Sequence, residues 1–230
     1  MRLNAFLAQA GVASRRGADE MIRAGRVTVN SQPGRFNDDI SPKDKVYIDD
    51  KQIILRKSRS ILLFKPAGYL TTLKDPHDRR KVTDLIKIPE RVVPVGRLDY
   101  DTTGVLLLTN EGELAHKLMH LSFEVDKVYE VEVKGKVTDE VLNKLSTGVS
   151  LEDGVTSPAK ARSLSDNKIE LIIHEGRKHQ VKRMLAAAGL PVVKLHRSNY
   201  AGLGLDGLKP GQWRDLTERE VSLLKRYTLS

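Results

Sequence analysis

The 230-residue chain contains no cysteine, which excludes disulfide staples, thiol nucleophiles and cysteine-ligated metal. No uninterrupted apolar run approaches the roughly 20 residues a helix needs to span a bilayer, so a soluble protein with no membrane partner is expected. Internal repeats, low-complexity segments and a P-loop are absent as well. Acid is missing from the amino end, where Arg2, Ser14, Arg15 and Arg16 all precede the first carboxylate, Asp19. Organelle transit peptides share that composition, but the apolar stretch is short and interrupted by Gln9. A bacterial or organellar interior is expected, with a cytoplasmic location.

Charge is what the chain has in quantity. Charged residues make up 30% and hydrophobic residues 40%, a balance that still provides for a folded core. The formal net charge of +9 favours a polyanionic partner, nucleic acid first among them. The excess is uneven: residues 1–60 carry 12 basic and 7 acidic side chains, against 27 and 23 in residues 61–230.

Apolar spacing at Leu3, Phe6, Leu7 and Ala10 predicts a helix that Gly11 ends, and Ser14 is placed to cap a second helix over 15–24, with Ala18, Met21 and Ile22 on its apolar face. Val27 and Val29 before the turn residues 30–34, then Val46 with Ile48, and 53–55, predict strands. A small helix-helix-strand module over 1–56, a basic linker at 57–60 and a second domain over 61–230 follow. In that second domain strands are expected at 61–64, 105–109, 128–133, 168–173 and 192–195. Helices are expected at 113–119, 139–145, 178–188 and 218–227, the last capped by Thr217. Strands and helices mix without strict βαβ alternation, so the expected class is α+β with a mainly antiparallel sheet.

Two motif matches are set aside. Gly202-Leu203-Gly204-Leu205-Asp206-Gly207 fits the dinucleotide fingerprint, but Pro210 sits where the required helix would make its first turns. His174 and His179 are five residues apart, one more than the zinc-binding helical pair, and Gly176 disfavours the helix. No metal and no cofactor are expected.

Two polar loops remain. Residues 95–112 place Arg97, Asp99, Asp101, Thr102 and Thr103 before an apolar strand, and 175–184 place Arg177, Lys178, His179, Lys182 and Arg183 at a helix start, where phosphate can be held. By composition alone, each also reads as an ordinary solvated turn or helix start.

The run Gly96-Arg97-Leu98-Asp99, followed by Asp101-Thr102, Gly104 and Leu106-Leu107-Leu108-Thr109-Asn110-Glu111-Gly112, closely resembles the catalytic-loop motif of the RsuA/RluB branch of the ribosomal RNA pseudouridine synthases. Lys65-Pro66-Ala67-Gly68 resembles that family's first motif, Lys127-Val128-Tyr129 its tyrosine motif, and the segment from Glu175 to Met184 its third. Ala13-Ser14-Arg15-Arg16 and Ala24-Gly25-Arg26-Val27-Thr28-Val29-Asn30 are similar to the RNA-binding domain of the ribosomal protein S-four type.

The resemblance implies isomerisation of uridine to pseudouridine in ribosomal RNA, without redox carrier, energy donor or metal. It implies that Asp99 acts on the ribose, by attack at C1′ or by removal of a 2′ proton, and that Lys182 pairs with Asp99. Tyr129 would pack on the uracil and help take the C5 proton, Val181 would wall the base pocket, and Arg97 would fill the space of the extruded base or grip a phosphate. Arg177 and Arg183 join the expected substrate contacts, and Arg15, Arg16, Arg23 and Arg26 the RNA contacts. Asp101, two residues from Asp99, is assigned loop hydrogen bonding. Residues 91–160, including 151–156, look more like the large-subunit enzymes and 178–183 more like the small-subunit enzyme, and the large subunit is favoured. A monomer working on ribosomal RNA or a pre-ribosomal particle is expected. The readings weighed against this are a non-catalytic ribosome-assembly factor and a DNA-binding regulator using the first helix pair as a helix-turn-helix.

Overall fold

A computed structural model describes residues 1–227. The chain forms two compact units. The first comprises Met1–Arg59, Ile88–Val93 and Asn110–Gly112, and the second Ser60–Lys87, Pro94–Thr109 and the described residues from Glu113 onward.

The first unit opens with helices α1 (Leu3–Gln9) and α2 (Arg15–Arg23). Gly11, at φ +82°, takes the left-handed conformation that ends α1, and the Ser14 hydroxyl accepts the Gly17 N–H at 3.1 Å to start α2. Strands β1 (Val27–Val29), β2 (Gln32–Pro33), β3 (Val46–Ile48) and β4 (Lys51–Ile53) follow, in sheet order β2-β1-β3-β4. Leu3, Leu7, Ala18, Ile22, Val27 and Val46 form the core; each large aliphatic buried there contributes about 1.5–3 kcal/mol. The strand expected over 53–55 stands at 51–53 instead. Pairing with β3 ends at Val46↔Ile53, which leaves Ile54 73% exposed.

The second unit is a mixed sheet with helices. Its elements are β5 (Ser60–Lys65), β6 (Val93–Pro94), β7 (Thr103–Thr109), α3 (Gly112–Met119), β8 (Lys127–Val133), α4 (Asp139–Thr147), β9 (Ser150–Leu151), β10 (Gly154–Val155), β11 (Lys160–Ser165), β12 (Lys168–Ile173), α5 (Gln180–Ala187), β13 (Val192–Tyr200), β14 (Trp213–Asp215) and α6 (Glu218–Arg226). Seven strands run in the order β11-β12-β8-β13-β7-β5-β14. Every neighbour pair on that path is antiparallel except β13 with β7, in accord with the α+β class. Val105 and Leu107 of β7 pack with Leu114, Leu118 and Leu224, while Leu106 and Leu108 are fully buried on the other face. Burial on both faces is why β7 reads as a continuous apolar run rather than an alternating one.

Two boundaries differ from the sequence reading in ways that matter for the site. α5 begins at Gln180 rather than Lys178, because His179 stands before it at φ +52°. β13 continues past the apolar 192–195 through His196, Arg197, Ser198 and Asn199 to Tyr200. No helix among the described residues is long and apolar enough to cross a membrane.

Candidate active site

The loop that carries Asp99 is braced from three sides within the second unit. At its start, Val95 N–H donates to the Leu107 carbonyl at 2.8 Å. The Thr71 hydroxyl donates to the Leu98 carbonyl at 2.7 Å. Beneath it lies Lys65, the last residue of β5 and fully buried. Its ammonium donates to the carbonyls of Thr102 at 2.8 Å, Pro66 at 3.0 Å and Tyr100 at 3.4 Å. Gly68 N–H adds a bond of 2.8 Å to the Tyr100 carbonyl. The lysine-proline-x-glycine motif thus acts as the mechanical support of the Asp99 loop. Burial pulls the Lys65 amine down to about 8, a shift that Asp101 and Asp99 partly oppose.

The far end of the loop is held by close backbone approach. Gly104 lies opposite Arg197 in the parallel ladder of β13 with β7. At φ +120°, a Cβ on Gly104 would stand 2.2 Å from the Arg197 carbonyl oxygen and 2.6 Å from its nitrogen. Only glycine permits that approach.

Beside the loop lies a cavity of about 490 Å³, within the size range of small-ligand sites. Arg97, Asp99, Lys127, Tyr129, Val181 and Arg197 are among the residues lining it. Tyr129 on β8 and Arg197 on β13 are direct cross-strand partners, so their side chains share one face of the sheet. Tyr129 is 7% exposed, and its hydroxyl has no hydrogen-bond partner among the described residues. Val181, in the first turn of α5, is buried. Arg97 is exposed and unpaired among the described residues.

Asp99 keeps a side-chain exposure of 30%, with His179 Nε2 at 3.5 Å and Lys182 Nζ at 3.7 Å from its carboxylate oxygens. The expected Lys182–Asp99 pair is therefore not the principal one. Lys182 donates to both oxygens of Asp101, at 2.6 and 2.7 Å, and that bond holds the Asp101 carboxyl below the usual carboxylate range. Asp101 reaches the ammonium because its side chain swings out of the loop, at 68% exposure. Its role is thus the anchor of Lys182 rather than a bond within its own loop.

Arg177 and Arg183 are engaged by protein acceptors. Arg177 donates to the carbonyls of Gly154 at 2.9 Å and Val155 at 2.7 Å and to Glu175 at 3.2 Å, while Arg183 grips Asp153 with bonds of 3.0 and 2.8 Å. Both thereby fasten the β9–β10 turn; Arg177 also lines the cavity, and Arg183 does not. In the first unit, Arg15 and Arg16 are exposed at the start of α2, Arg23 lies 5.8 Å over the Phe36 ring, and Arg26 is paired with Asp49 through two of its nitrogens. That pairing leaves Arg26 less free for phosphate than the other three.

Sequence reasoning left Arg197 out and placed His179 in a basic loop without relating it to Asp99. His179 reaches Asp99 only because of its left-handed backbone, which no local pattern signals. Arg197 is 2% exposed, donates Nε–H to the Val105 carbonyl at 2.9 Å and lies 4.9 Å over the Tyr200 ring. Its Nη2 is buried without a partner among the described residues. Burial pushes the Tyr200 phenol up to about 12, and its hydroxyl donates to the Leu118 carbonyl at 2.8 Å. Lys127, also on the cavity wall, donates to the carbonyls of Val125 and His174, each at 2.7 Å. Burial, and next the Arg197 charge, bring its amine down to about 8. No three His, Asp or Glu side chains among the described residues are arranged to hold a metal.

Comparison with known proteins places these features in a family. Residues 59–187 match the RNA pseudouridylate synthase profile, and residues 1–33 match the S4 domain, which covers the helix pair that also admitted a helix-turn-helix reading. The chain is 46% identical to the ribosomal large subunit pseudouridine synthase B of Bacillus subtilis (strain 168), over 97% of this chain and 95% of that protein. It is 32% identical to the dual-specificity RNA pseudouridine synthase RluF of Escherichia coli (strain K12), over 96% of this chain and 77% of that one. A crystal structure titled as a pseudouridylate synthase superposes with a TM-score of 0.73 at 32% identity, over 97% of this chain and 99% of the other. With its motifs gathered on one braced loop and one cavity, this chain belongs to the RNA pseudouridylate synthase family and carries an amino-terminal S4 domain.

Proposed function

We propose that the protein isomerises specific uridines of ribosomal RNA, in the large subunit, with Asp99 acting on the ribose. One observation carries the assignment of the site. Asp99, the only carboxylate on the cavity wall among the described residues, shares that cavity with the buried ring of Tyr129 and the aliphatic Val181. The large-subunit preference rests on the likeness of residues 91–160, including 151–156, to the enzymes of that subunit and on the Bacillus subtilis relative. The protein works as a monomer in the cytoplasm, on naked ribosomal RNA or a pre-ribosomal particle.

The target uridine must leave its stack before C1′ can be reached. Arg97, exposed and unpaired, fills the vacated position or holds a neighbouring phosphate. Asp99 then either bonds to C1′ or removes the proton at C2′. By either route the C1′–N1 bond breaks and its electron pair goes to the uracil. Tyr129 and Val181 hold the base as it turns, and C5 bonds to C1′. Asp99 is released, or returns its proton to C2′. The C5 proton leaves with the help of the Tyr129 hydroxyl, and N1 gains one, so the atoms of substrate and product are the same. Lys182 places its ammonium, and His179 its Nε2, beside the Asp99 carboxylate.

Residues 1–56 form a separate affinity module, in which Arg15, Arg16 and Arg23 meet phosphates and Arg26 contributes less. The test is a map of pseudouridine in ribosomal RNA from cells with and without the gene. Loss of one or a few large-subunit sites is expected. Loss confined to the small subunit would overturn the subunit assignment, and an unchanged map would overturn the reading as a ribosomal RNA enzyme.

A further inference from the structure

A buried guanidinium with no carboxylate beside it is an expensive feature of a fold, because desolvating an uncompensated charge costs several kcal/mol. Arg197 is such a group. It is 2% exposed, and no Asp or Glu forms an ion pair with it among the described residues. Nε is satisfied by the Val105 carbonyl, whereas Nη2 has no acceptor among the described residues. The residue nevertheless lines the cavity, directly across from Tyr129 in the β13–β8 ladder. Its position is tightly fixed. The Gly104 backbone lies against the backbone of Arg197, and the Tyr200 ring lies under its guanidinium at 4.9 Å. The side chain is therefore held in place before any ligand arrives, which is the condition under which a charge stabilises a transition state without reorganising.

We propose that Arg197 is a catalytic residue that stabilises the detached base, its guanidinium donating to a carbonyl oxygen of the uracil as negative charge accumulates on cleavage of C1′–N1. The assignment rests on the function proposed above and extends it. Whichever route Asp99 follows, the bonding electrons leave with the uracil and spread over N1, O2, N3 and O4. A base held by Tyr129 lies beside the residue directly paired with it, and that residue is a cation short of an anion. Lys127, on the same wall, adds to the positive field while its own hydrogen bonds go to the Val125 and His174 carbonyls. Asp99 thus serves the sugar and Arg197 the leaving base.

The test compares Arg197→Gln and Arg197→Lys with the parent under single-turnover conditions, on one rRNA fragment carrying either uridine or 5-fluorouridine at the target. Loss of the original N-glycoside is followed by nuclease digestion and mass spectrometry. Fluorine at C5 withdraws electrons and makes the base an easier leaving anion, so it substitutes in part for the guanidinium. Arg197→Gln should lose about 10²-fold on uridine, the scale seen when one donor to a developing anion is removed, and about tenfold or less on 5-fluorouridine, with RNA affinity unchanged. Should Arg197→Gln melt below the assay temperature, the same ratio in Arg197→Lys decides. An equal loss on both bases in a folded variant, or uridine turnover within about threefold of the parent, overturns the assignment. A parent that forms no pseudouridine on any ribosomal RNA fragment overturns the functional reading and this assignment with it, whereas Asp99→Asn should abolish reaction of both bases.

Discussion

Gly104→Ala tests whether the Asp99 loop is positioned by its close approach to β13. The added methyl would stand 2.2 Å from the Arg197 carbonyl oxygen and 2.8 Å from its carbonyl carbon. Real Cβ contacts do not fall below 3.0 Å, so loop and strand must separate by about 0.8 Å or more. The obstacle is backbone, which no rotamer change can remove. Alanine at φ +120° adds conformational strain of about 1–3 kcal/mol, and the steric expansion adds about 1–3 kcal/mol. For a unit of this size the combined loss of about 2–6 kcal/mol corresponds to a Tm lower by roughly 4–24 °C. A displacement approaching 1 Å of the loop bearing the reacting carboxylate should also lower kcat by about 10²-fold even in the folded fraction. Differential scanning calorimetry and single-turnover pseudouridine formation below the transition measure the two effects. A Tm within about 2 °C of the parent together with activity within about threefold would refute the argument that this contact positions the loop.

Lys182→Met removes the charge shared by Asp101 and Asp99 and should lower kcat by about 10²-fold, while Asp101→Asn, which loses only the anchor, should stay within about tenfold; single-turnover rates of the two variants give the comparison. Arg214 beside Glu220 holds that carboxyl down at about 2. Because the folded state lowers the carboxyl, this contribution is complete above pH 4.5 and is lost as pH falls from there toward 2. Calorimetry over that window should show a loss of at most about 3 kcal/mol that Glu220→Gln abolishes. Arg15→Ala/Arg16→Ala should reduce the salt slope of RNA binding by about 0.7–0.9 for each phosphate contact removed, with Arg26→Ala giving a smaller change; a salt titration on one ribosomal RNA fragment reads both.

The features legible in the sequence are those whose cause is local. Ser14 and Thr217 each accept an N–H three residues on, as capping chemistry requires, and the apolar run of β7 reports burial on two faces. The Asp99 loop was legible because its motif is contiguous. The contributions of Arg197 and His179 are set by tertiary structure. Arg197 sits in the polar half of β13, where apolar periodicity has already stopped, and only the ladder to β8 brings it beside Tyr129. His179 belongs to a basic loop whose composition does not say that it stands beside Asp99, where a positive φ places it. Lys182 does pair with Asp99, at 3.7 Å, but two carboxylates two residues apart compete for one ammonium, and reach, which spacing cannot supply, gives Asp101 the shorter contact. The edge strand β11 was missed for a simpler reason: its Lys-Ala-Arg-Ser-Leu-Ser run is largely exposed and leaves no apolar alternation.

The most direct test of the account is pseudouridine formation by Asp99→Asn on a large-subunit ribosomal RNA fragment that the parent modifies, followed as a single turnover alongside RNA affinity and a thermal melt. Replacing the carboxylate by an isosteric amide removes the group that acts on the ribose and leaves the braced loop intact. The account predicts a rate lower by at least about 10²–10⁴-fold, with RNA affinity within about threefold of the parent because phosphate contacts dominate binding. Turnover within about tenfold of the parent in the folded variant would contradict the central claim that Asp99 performs the chemistry.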